Sequence, residues 1–240
     1  MKAFSITDVG QRRNVNQDYV FCEVKPIGNL PNLFIVADGM GGHNAGDYAS
    51  RFCVEYFTQN IKESKSTLPV AMFETALKET NDLLRNMAQE KKEFEGMGTT
   101  FVVATIVDKV MYVANIGDSR LYIINDEIKQ ITEDHSLVEA MIRTGEINRD
   151  EARIHPNKNI ITRALGAHDK VEADYFEVDI NDGDIVLMCS DGLTNMLEDE
   201  KIADIVRSNS EDIEAAAASL VYNANQNGGK DNISVVLIKV

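Results

Sequence analysis

Short runs of apolar residues, either alternating with polar residues or unbroken, divide much of the chain into strand-like segments. They are rich in β-branched and aromatic residues and are separated by turn residues such as Gly28, Pro31 and Asp108. The pattern predicts strands at residues 2–7, 19–24, 33–37, 99–107, 110–116, 121–125, 171–178, 184–189 and 233–240.

A second pattern, with apolar residues three or four positions apart, predicts helices. One begins near Ala45, and the others cover residues 69–93, 199–208 and 213–226. Asn148 and Glu151 have the spacing of a capping box before a short helix. The rest of residues 137–166 is polar and irregular, which is typical of a surface flap.

The predicted order is strands, two helices, strands, two helices and a last strand, which is not the βαβ alternation of a parallel sheet. It indicates an α+β fold, a β-sandwich of two antiparallel sheets flanked by pairs of α-helices. Since no linker rich in Pro, Gly or Ser interrupts it, we expect residues 1–240 to form a single domain with a flap at about 143–166.

Four aspartates, Asp38, Asp118, Asp191 and Asp231, lie in turns at the ends of apolar runs. Aspartate is unfavourable in strands and costly to bury without a partner. If the fold gathers these carboxylates, their repulsion requires a cation between them. An all-oxygen ligand set suits Mg²⁺ or Mn²⁺, and the four histidines have no mutual spacing that would indicate zinc.

Two such ions bridged by one carboxylate could lower the pKa of a shared water, and the resulting hydroxide could attack phosphorus in line. This chemistry needs no Ser or Cys nucleophile, and Ser190 lacks the sequence of a nucleophile elbow. Arg12 and Arg13 follow the first strand, where an arginine could hold two phosphate oxygens in a fork.

Composition narrows the possible partners and location. A formal net charge of -15, without a basic stripe, argues against nucleic acid. No run of 18 apolar residues indicates a membrane span, and Met1–Ser5 does not read as a signal peptide, so we expect a cytoplasmic protein. The three cysteines lie in apolar runs without a CxxC pair and are expected to be reduced core residues. Nothing marks an oligomer interface, so a monomer is expected.

Taken together, the motifs closely resemble those of the metal-dependent Ser/Thr protein phosphatases of type 2C, in their compact bacterial form. The matching segments occur in the family's order over essentially the whole chain: TDVGQRR (7–13), NQD (16–18), ADGMGGH (37–43), GMGTT (96–100), NIGDSR (115–120), QITEDHS (130–136), CSDGL (189–193) and KDNIS (230–234).

The resemblance implies hydrolysis of phosphoserine and phosphothreonine by direct attack of a metal-bridging water or hydroxide at a binuclear Mn²⁺ or Mg²⁺ centre. Asp38 would bridge the two ions, with the Gly39 carbonyl on one of them, and Asp191 and Asp231 would complete the other.

The family's further roles are carried over in the same way. Asp18 would act through metal-bound water, Asp118 with Asp191 would hold a third, weaker ion, and Arg13 would bind phosphate. Asn232 would orient Asp231. The implied partners are phosphoserine and phosphothreonine proteins, including a cognate Ser/Thr kinase and its targets.

One position departs from the family. Many eukaryotic members have a histidine directly after the Asp-Gly pair, proposed as the general acid, and Met40 stands there in this chain. His43 is a candidate for the role, with a metal-bound water as the alternative.

Two other functions are alternatives to a protein phosphatase. A non-catalytic binding module would be expected to lack one of the core aspartates, and all are present. A hydrolase of small phosphoesters or phosphodiesters could use the same two-metal chemistry, since fold alone does not decide substrate.

Overall fold

The computed structural model describes residues 1–42 and 45–240. Those residues contain eleven β-strands, all paired antiparallel within two sheets. The strands are β1 (Lys2–Asp8), β2 (Asp18–Glu23), β3 (Leu33–Met40), β4 (Gly98–Thr99), β5 (Phe101–Val107), β6 (Val110–Ile116), β7 (Arg120–Ile124), β8 (Ile128–Gln130), β9 (Asp174–Asp179), β10 (Ile185–Cys189) and β11 (Ile233–Lys239).

Strand order differs from chain order in both sheets. One sheet runs β1-β11-β10-β7-β8, and the other runs β2-β3-β5-β6-β9, with the short β4 attached to β3. The last strand therefore lies between β1 and β10, which brings the segments before β11 and after β10 next to each other.

Helices cover both outer faces of the sandwich. Seven α-helices occur in the described residues: α1 (Ala45–Glu63), α2 (Pro69–Glu90), α3 (Leu137–Thr144), α4 (Arg149–Ile154), α5 (Asp191–Thr194), α6 (Asp199–Ser208) and α7 (Ile213–Gln226). A 3₁₀ helix covers Lys92–Phe94. The pair α1 and α2 packs on the β3 sheet, and the pair α6 and α7 packs on the β10 sheet. The predicted α+β sandwich is confirmed.

The unbroken apolar runs of the central strands result from burial on both faces. In β3, Phe34 and Val36 point into the layer between the sheets, whereas Leu33, Ile35 and Ala37 point toward α1 and α2. Successive strand residues face opposite sides, so a strand packed on both sides has no polar face. The same alternation occurs in β11, which explains why these strands read as continuous apolar runs.

The segment between β8 and β9 differs most from the predicted elements. Helix α3 was not predicted, although Ser136 caps its first turn and Gly145 ends it with φ 78°. Eight residues are too few for periodicity to show clearly. The capping box of α4 is confirmed, with Asn148 Oδ1 2.9 Å from the Glu151 amide.

Several strand and helix bounds also differ from the predicted ones. The strand predicted at 171–178 begins only at Asp174, where pairing with β6 starts at Asn115. The strand predicted at 99–107 is interrupted at Thr100, and α2 ends at Glu90. No helix among residues 1–42 and 45–240 is long and apolar enough to cross a membrane.

Candidate active site

The predicted site residues lie along one edge of the sandwich. Strands β3, β6 and β10 end at this edge. The loop before β11 lies next to the end of β10, where the Ser190 amide donates to the Ser234 carbonyl over 3.1 Å. Asp38 lies in β3, two residues before its end. Asp118 and Asp191 follow β6 and β10, and Asp231 precedes β11. The four carboxylates are within electrostatic reach of one another. The fold therefore gathers carboxylates that are up to 193 positions apart in sequence.

Asp38 has a rigid backbone. Its amide donates to Thr100 Oγ1 over 2.9 Å, and its carbonyl accepts from the Thr100 amide and from Thr99 Oγ1, each over 2.9 Å. Asp18 lies directly opposite it in the β2–β3 pairing. Thr99 and Thr100 therefore fix the end of β3 that carries Asp38.

Gly39 lies where two backbones meet too closely for a side chain. A Cβ added there would lie 2.0 Å from the Gly46 carbonyl oxygen and 2.7 Å from that of Gln17. Such contacts require backbone movement, so any other residue would displace the turn from β3 into α1. The predicted role of Gly39 uses its main-chain carbonyl, which this close packing holds in place.

Asp191 begins the short helix α5, directly after β10. Its Oδ2 accepts a hydrogen bond from Asn195 Nδ2 over 2.8 Å, and its Oδ1 is buried. At the next residue, Gly192, a Cβ would lie 1.9 Å from the Asn232 carbonyl oxygen. This close approach brings the start of α5 against the loop that carries Asp231.

Asp231 is paired with Arg13. Arg13 Nη2 lies 2.8 Å from Asp231 Oδ2, and the arginine side chain is 51% exposed. This hydrogen bond, larger than the opposing effect of burial, raises the pKa of Arg13. The guanidinium is therefore held beside the carboxylates with half of its surface open to a ligand.

Asn232 positions the Arg13 loop. Its amide nitrogen Nδ2 donates to the carbonyls of Val9 and Val15 over 2.9 and 3.0 Å, and its Oδ1 accepts from the Gln17 amide. Its main-chain amide also donates to Asp231 Oδ1 over 2.9 Å. The predicted contact with Asp231 thus comes from the backbone, while the side chain fastens the loop on both sides of Arg13.

Asp118 occupies a turn that is supported by a buried histidine. His135 Nδ1 accepts from the Gly117 amide over 3.1 Å, so His135 Nε2 carries the proton that faces Asp174 Oδ2, 3.0 Å away. Arg120 forms a forked pair with Asp134, so Asp134 has a structural role beside this turn. Sequence spacing gave no sign of the histidine's role, because Gly117 and His135 are far apart in the chain.

The electrostatics of this edge disfavour bare carboxylates. Burial, with the charges of Asp18, Asp191, Asp118 and Asp231 added to it, raises the pKa of Asp38 well above its ordinary value. Burial and the nearby carboxylates likewise raise the pKa of Asp118, raise that of Asp191 to about 6 and raise that of Asp18 to about 7. Bound cations would reverse these shifts.

Two buried carboxylate oxygens indicate that the residues at this edge can bind cations. Oδ1 of Asp18 and Oδ1 of Asp191 have no hydrogen-bond partner within the described part of the chain. Buried polar atoms are normally satisfied, and unpaired carboxylate oxygens suit a hard cation or its water. The donor set therefore fits Mg²⁺ or Mn²⁺.

Within residues 1–42 and 45–240, no three His, Cys, Asp or Glu side chains already form a group that could hold a metal ion. Asp191 Oδ2 is turned to Asn195 and Asp231 Oδ2 to Arg13. Like-charged carboxylates repel one another, and a bound cation would offset that repulsion.

Ser190 is fully buried and serves Asp18. Its hydroxyl donates to Asp18 Oδ2 over 2.7 Å, and its oxygen accepts from the Ser234 amide over 3.0 Å. This geometry gives the hydroxyl no access to a substrate, in agreement with its predicted lack of a nucleophilic role. Of the other predicted candidates, His43 lies outside the described residues.

Asp18 makes the stability of the metal-free protein depend on pH. Its pKa is raised to about 7 in the folded chain, chiefly by burial, from an ordinary value near 4. The folded state then binds more protons, so stability is lost as pH rises from about 4 through 7. In chelator, the melting temperature of wild type should fall relative to that of Asp18→Asn as pH rises from 5 to 8. The fall should be roughly 2–4 °C for each kcal/mol of unfolding free energy that is lost.

Thermal unfolding followed by circular dichroism measures this difference. Glu127→Gln, at an exposed turn, is the matched control and should follow the wild-type curve at every pH. Parallel pH curves for wild type and Asp18→Asn would contradict the burial cost assigned to Asp18.

Sequence reasoning missed two residues beside Asp191. Lys158 Nζ donates to Asn195 Oδ1 over 2.8 Å, and the Asn195 amide contacts Asp191. Both also line a cavity of about 350 Å³ that includes Asp118 and Asp191. The i, i+4 spacing of Asp191 and Asn195 could have indicated their contact, but the distant Lys158 gave no such signal.

Comparison with known proteins identifies the family. The sequence pattern of Protein phosphatase 2C matches residues 22–233. The chain belongs to the protein phosphatase 2C family. It is 43% identical to the serine/threonine phosphatase stp of Listeria welshimeri, over 97% of this chain and 93% of that protein.

Solved structures of phosphatases share the fold. Serine/threonine phosphatase Stp1 from Staphylococcus aureus superposes with a TM-score of 0.92 and 36% identity, covering 100% of this chain and 94% of that one. The catalytic domain of the phosphatase PstP, in complex with two manganese ions, has a TM-score of 0.86 and 30% identity over 98% and 96% of the two chains. This type 2C phosphatase is therefore a metal-dependent protein serine/threonine phosphatase.

Proposed function

We propose that the carboxylates at the sandwich edge hold two Mn²⁺ or Mg²⁺ ions for phosphoserine and phosphothreonine hydrolysis. Asp38 would bridge the ions, the Gly39 carbonyl would bind one, and Asp191 and Asp231 would complete the other. The observation that carries the proposal is the buried Oδ1 of Asp191, which lacks a partner among the described residues beside carboxylates of raised pKa. The two-manganese structure of PstP supports the number of ions by similarity.

When bound, the ions would supply a water activated for in-line attack on phosphorus and would offset charge on the phosphoryl oxygens. The chain's residues position the other groups. Asp18, whose Oδ2 accepts a hydrogen bond from Ser190, keeps a buried Oδ1 without a partner among the described residues, and this oxygen would act through metal-bound water. Arg13 orients the phosphate, because its half-exposed guanidinium can hold two phosphate oxygens. Asp118, beside Asp191, is the proposed ligand of a third, weaker ion.

We further propose that residues 1–240 act as one catalytic domain, with residues 143–166 as a flap beside the active site. The contacts of Lys158 and Arg153 with residues 194–198 support this place for the flap. The phosphatase would work as a cytoplasmic monomer on phosphoserine and phosphothreonine proteins, including a Ser/Thr kinase and its targets. Met40 has no titratable group, so it cannot donate the proton to the leaving oxygen.

A comparison of substrates distinguishes a protein phosphatase from a hydrolase of small phosphoesters. Rates on a phosphothreonine peptide, a nucleoside monophosphate and a phosphodiester should be compared at equal Mn²⁺. We expect kcat/KM for the peptide to exceed the other two by at least about tenfold, because the chain belongs to the protein phosphatase 2C family and its relatives are serine/threonine phosphatases. Equal or faster nucleotide or diester hydrolysis would favour the small-phosphoester alternative.

A further inference from the structure

Lys230 stands directly before Asp231 in the loop that leads into β11, and it is exposed. The residues on both sides of it contact the loop that carries Arg13. The Gly229 carbonyl accepts a hydrogen bond from the Gln11 amide over 2.7 Å, and Asp231 Oδ2 lies 2.8 Å from Arg13 Nη2. The backbone position of Lys230 is therefore fixed between two contacts with the Arg13 loop.

The ammonium group of Lys230 makes no hydrogen bond or ion pair within residues 1–42 and 45–240. The adjacent carboxylate of Asp231 is already used, because its Oδ2 accepts from Arg13 and its Oδ1 accepts from the Asn232 amide. Lys230 also lies within electrostatic reach of another cation, Lys158. An exposed cation without an anionic partner, near a second cation, is available to an anion on another molecule.

The charge balance at this edge of the sandwich favours such an anion once the site is loaded. Two divalent ions would offset the charges of the four aspartates proposed as ligands. The charges of Arg13 and Lys230 would then be in excess at the edge, although the whole chain has a formal net charge of -15. Arg13 is assigned to the phosphoryl group, so Lys230 is left for a different anion of the same substrate.

We propose that Lys230 binds a carboxylate of the substrate, so that the phosphatase prefers phosphoserine and phosphothreonine segments flanked by acidic residues. This inference rests on the proposed function, because it assumes that the phosphopeptide is bound at Arg13 and the proposed metal ligands. Lys230 is a residue that determines specificity and takes no part in bond cleavage. Its charge should therefore change the ranking of peptides that differ only beside the phosphorylated residue.

Hydrolysis of three phosphothreonine peptides tests this role of Lys230. The peptides are identical except that the residues flanking phosphothreonine are all glutamate, all glutamine or all lysine. At about 0.15 M salt, charges more than about 8 Å apart are largely screened, so nearby groups decide the ranking. Wild type should favour the glutamate peptide over the glutamine peptide about three- to fivefold in kcat/KM. Lys230→Met should remove this preference, and Lys230→Glu should reverse it in favour of the lysine peptide.

Lys78, which is exposed on α2, supplies the matched controls. Lys78→Met and Lys78→Glu change the net charge by the same amounts and should keep the wild-type ranking of the three peptides. p-Nitrophenyl phosphate, which has no flanking residues, is the reference substrate. The ratio of kcat/KM for the glutamate peptide to that for p-nitrophenyl phosphate should fall in Lys230→Met and stay constant in the Lys78 variants.

Two results would overturn the specificity role of Lys230. One is equal kcat/KM of wild type on the glutamate and glutamine peptides. The other is the same fractional loss in Lys230→Met on every peptide and on p-nitrophenyl phosphate, because the lysine would then only offset active-site carboxylates. If wild type hydrolyses none of the peptides with Mn²⁺ present, the proposed function fails as well, so the two failures are distinguishable.

Discussion

Asp38→Asn is expected to reduce kcat on a phosphothreonine peptide by about 10³-fold or more. A carboxylate that bridges two ions contributes to both, and metal stabilisation of the transition state is worth several kcal/mol, on the order of a thousandfold in rate. The amide has nearly the same shape as the carboxylate, and the contacts that Thr99 and Thr100 make with Asp38 involve only its backbone. The substitution should therefore leave the fold intact.

The melting temperature of Asp38→Asn shows whether a loss of activity results from unfolding. In chelator, Asp38→Asn should melt at the same temperature as wild type or higher, because it removes a buried charge among like charges. Asp204→Asn, on the exposed face of α6, is the control and should keep wild-type turnover. Activity of Asp38→Asn within tenfold of wild type would show that the two ions, if bound, do not depend on this carboxylate.

Arg13→Ala is expected to lower kcat/KM on the phosphopeptide by about 10- to 100-fold. This loss in kcat/KM corresponds to the loss of one hydrogen bond between charged groups, which contributes about 1.5–3 kcal/mol. Arg13→Lys should recover part of this loss, since an ammonium keeps the charge but not the fork. Mn²⁺ affinity should stay equal or become tighter, because the substitution frees Asp231 Oδ2 from its ion pair.

Arg12→Ala is the matched control for Arg13, one position away in the same loop. It should change kcat/KM by less than about threefold, as expected for an exposed residue outside the site. Equal losses in Arg12→Ala and Arg13→Ala would indicate a general effect of loop charge and would remove the specific role of Arg13.

The sandwich could be predicted from the sequence because its strands are buried on both faces. Residues 33–37 of β3 and 235–238 of β11 are unbroken apolar runs, and the helix pairs show clear apolar periodicity, so the local pattern predicts the type of each element. Helix α3 was missed because its eight residues give too short a period, although Ser136 and Gly145 carried the capping signals.

The candidate site was predictable where a residue's own neighbours carry the signal. Asp38, Asp191 and Asp231 stand at the ends of apolar runs, which is an unusual place for aspartate. The supporting contacts could not be derived in this way, because they join distant segments. Asn232 reaches Val9 and Val15, His135 holds Gly117, and Lys158 reaches Asn195, and these pairs become neighbours only after the sheets pack.

The most direct measurement is phosphate release from a phosphothreonine peptide by metal-stripped phosphatase as Mn²⁺ is added back stepwise, with the bound ions counted by calorimetry. We predict no release in chelator, recovery as two ions bind per chain, and no recovery in Asp38→Asn at the same Mn²⁺ concentrations. Release at the full rate in chelator, or recovery in Asp38→Asn that matches wild type, would contradict a metal centre built on these carboxylates.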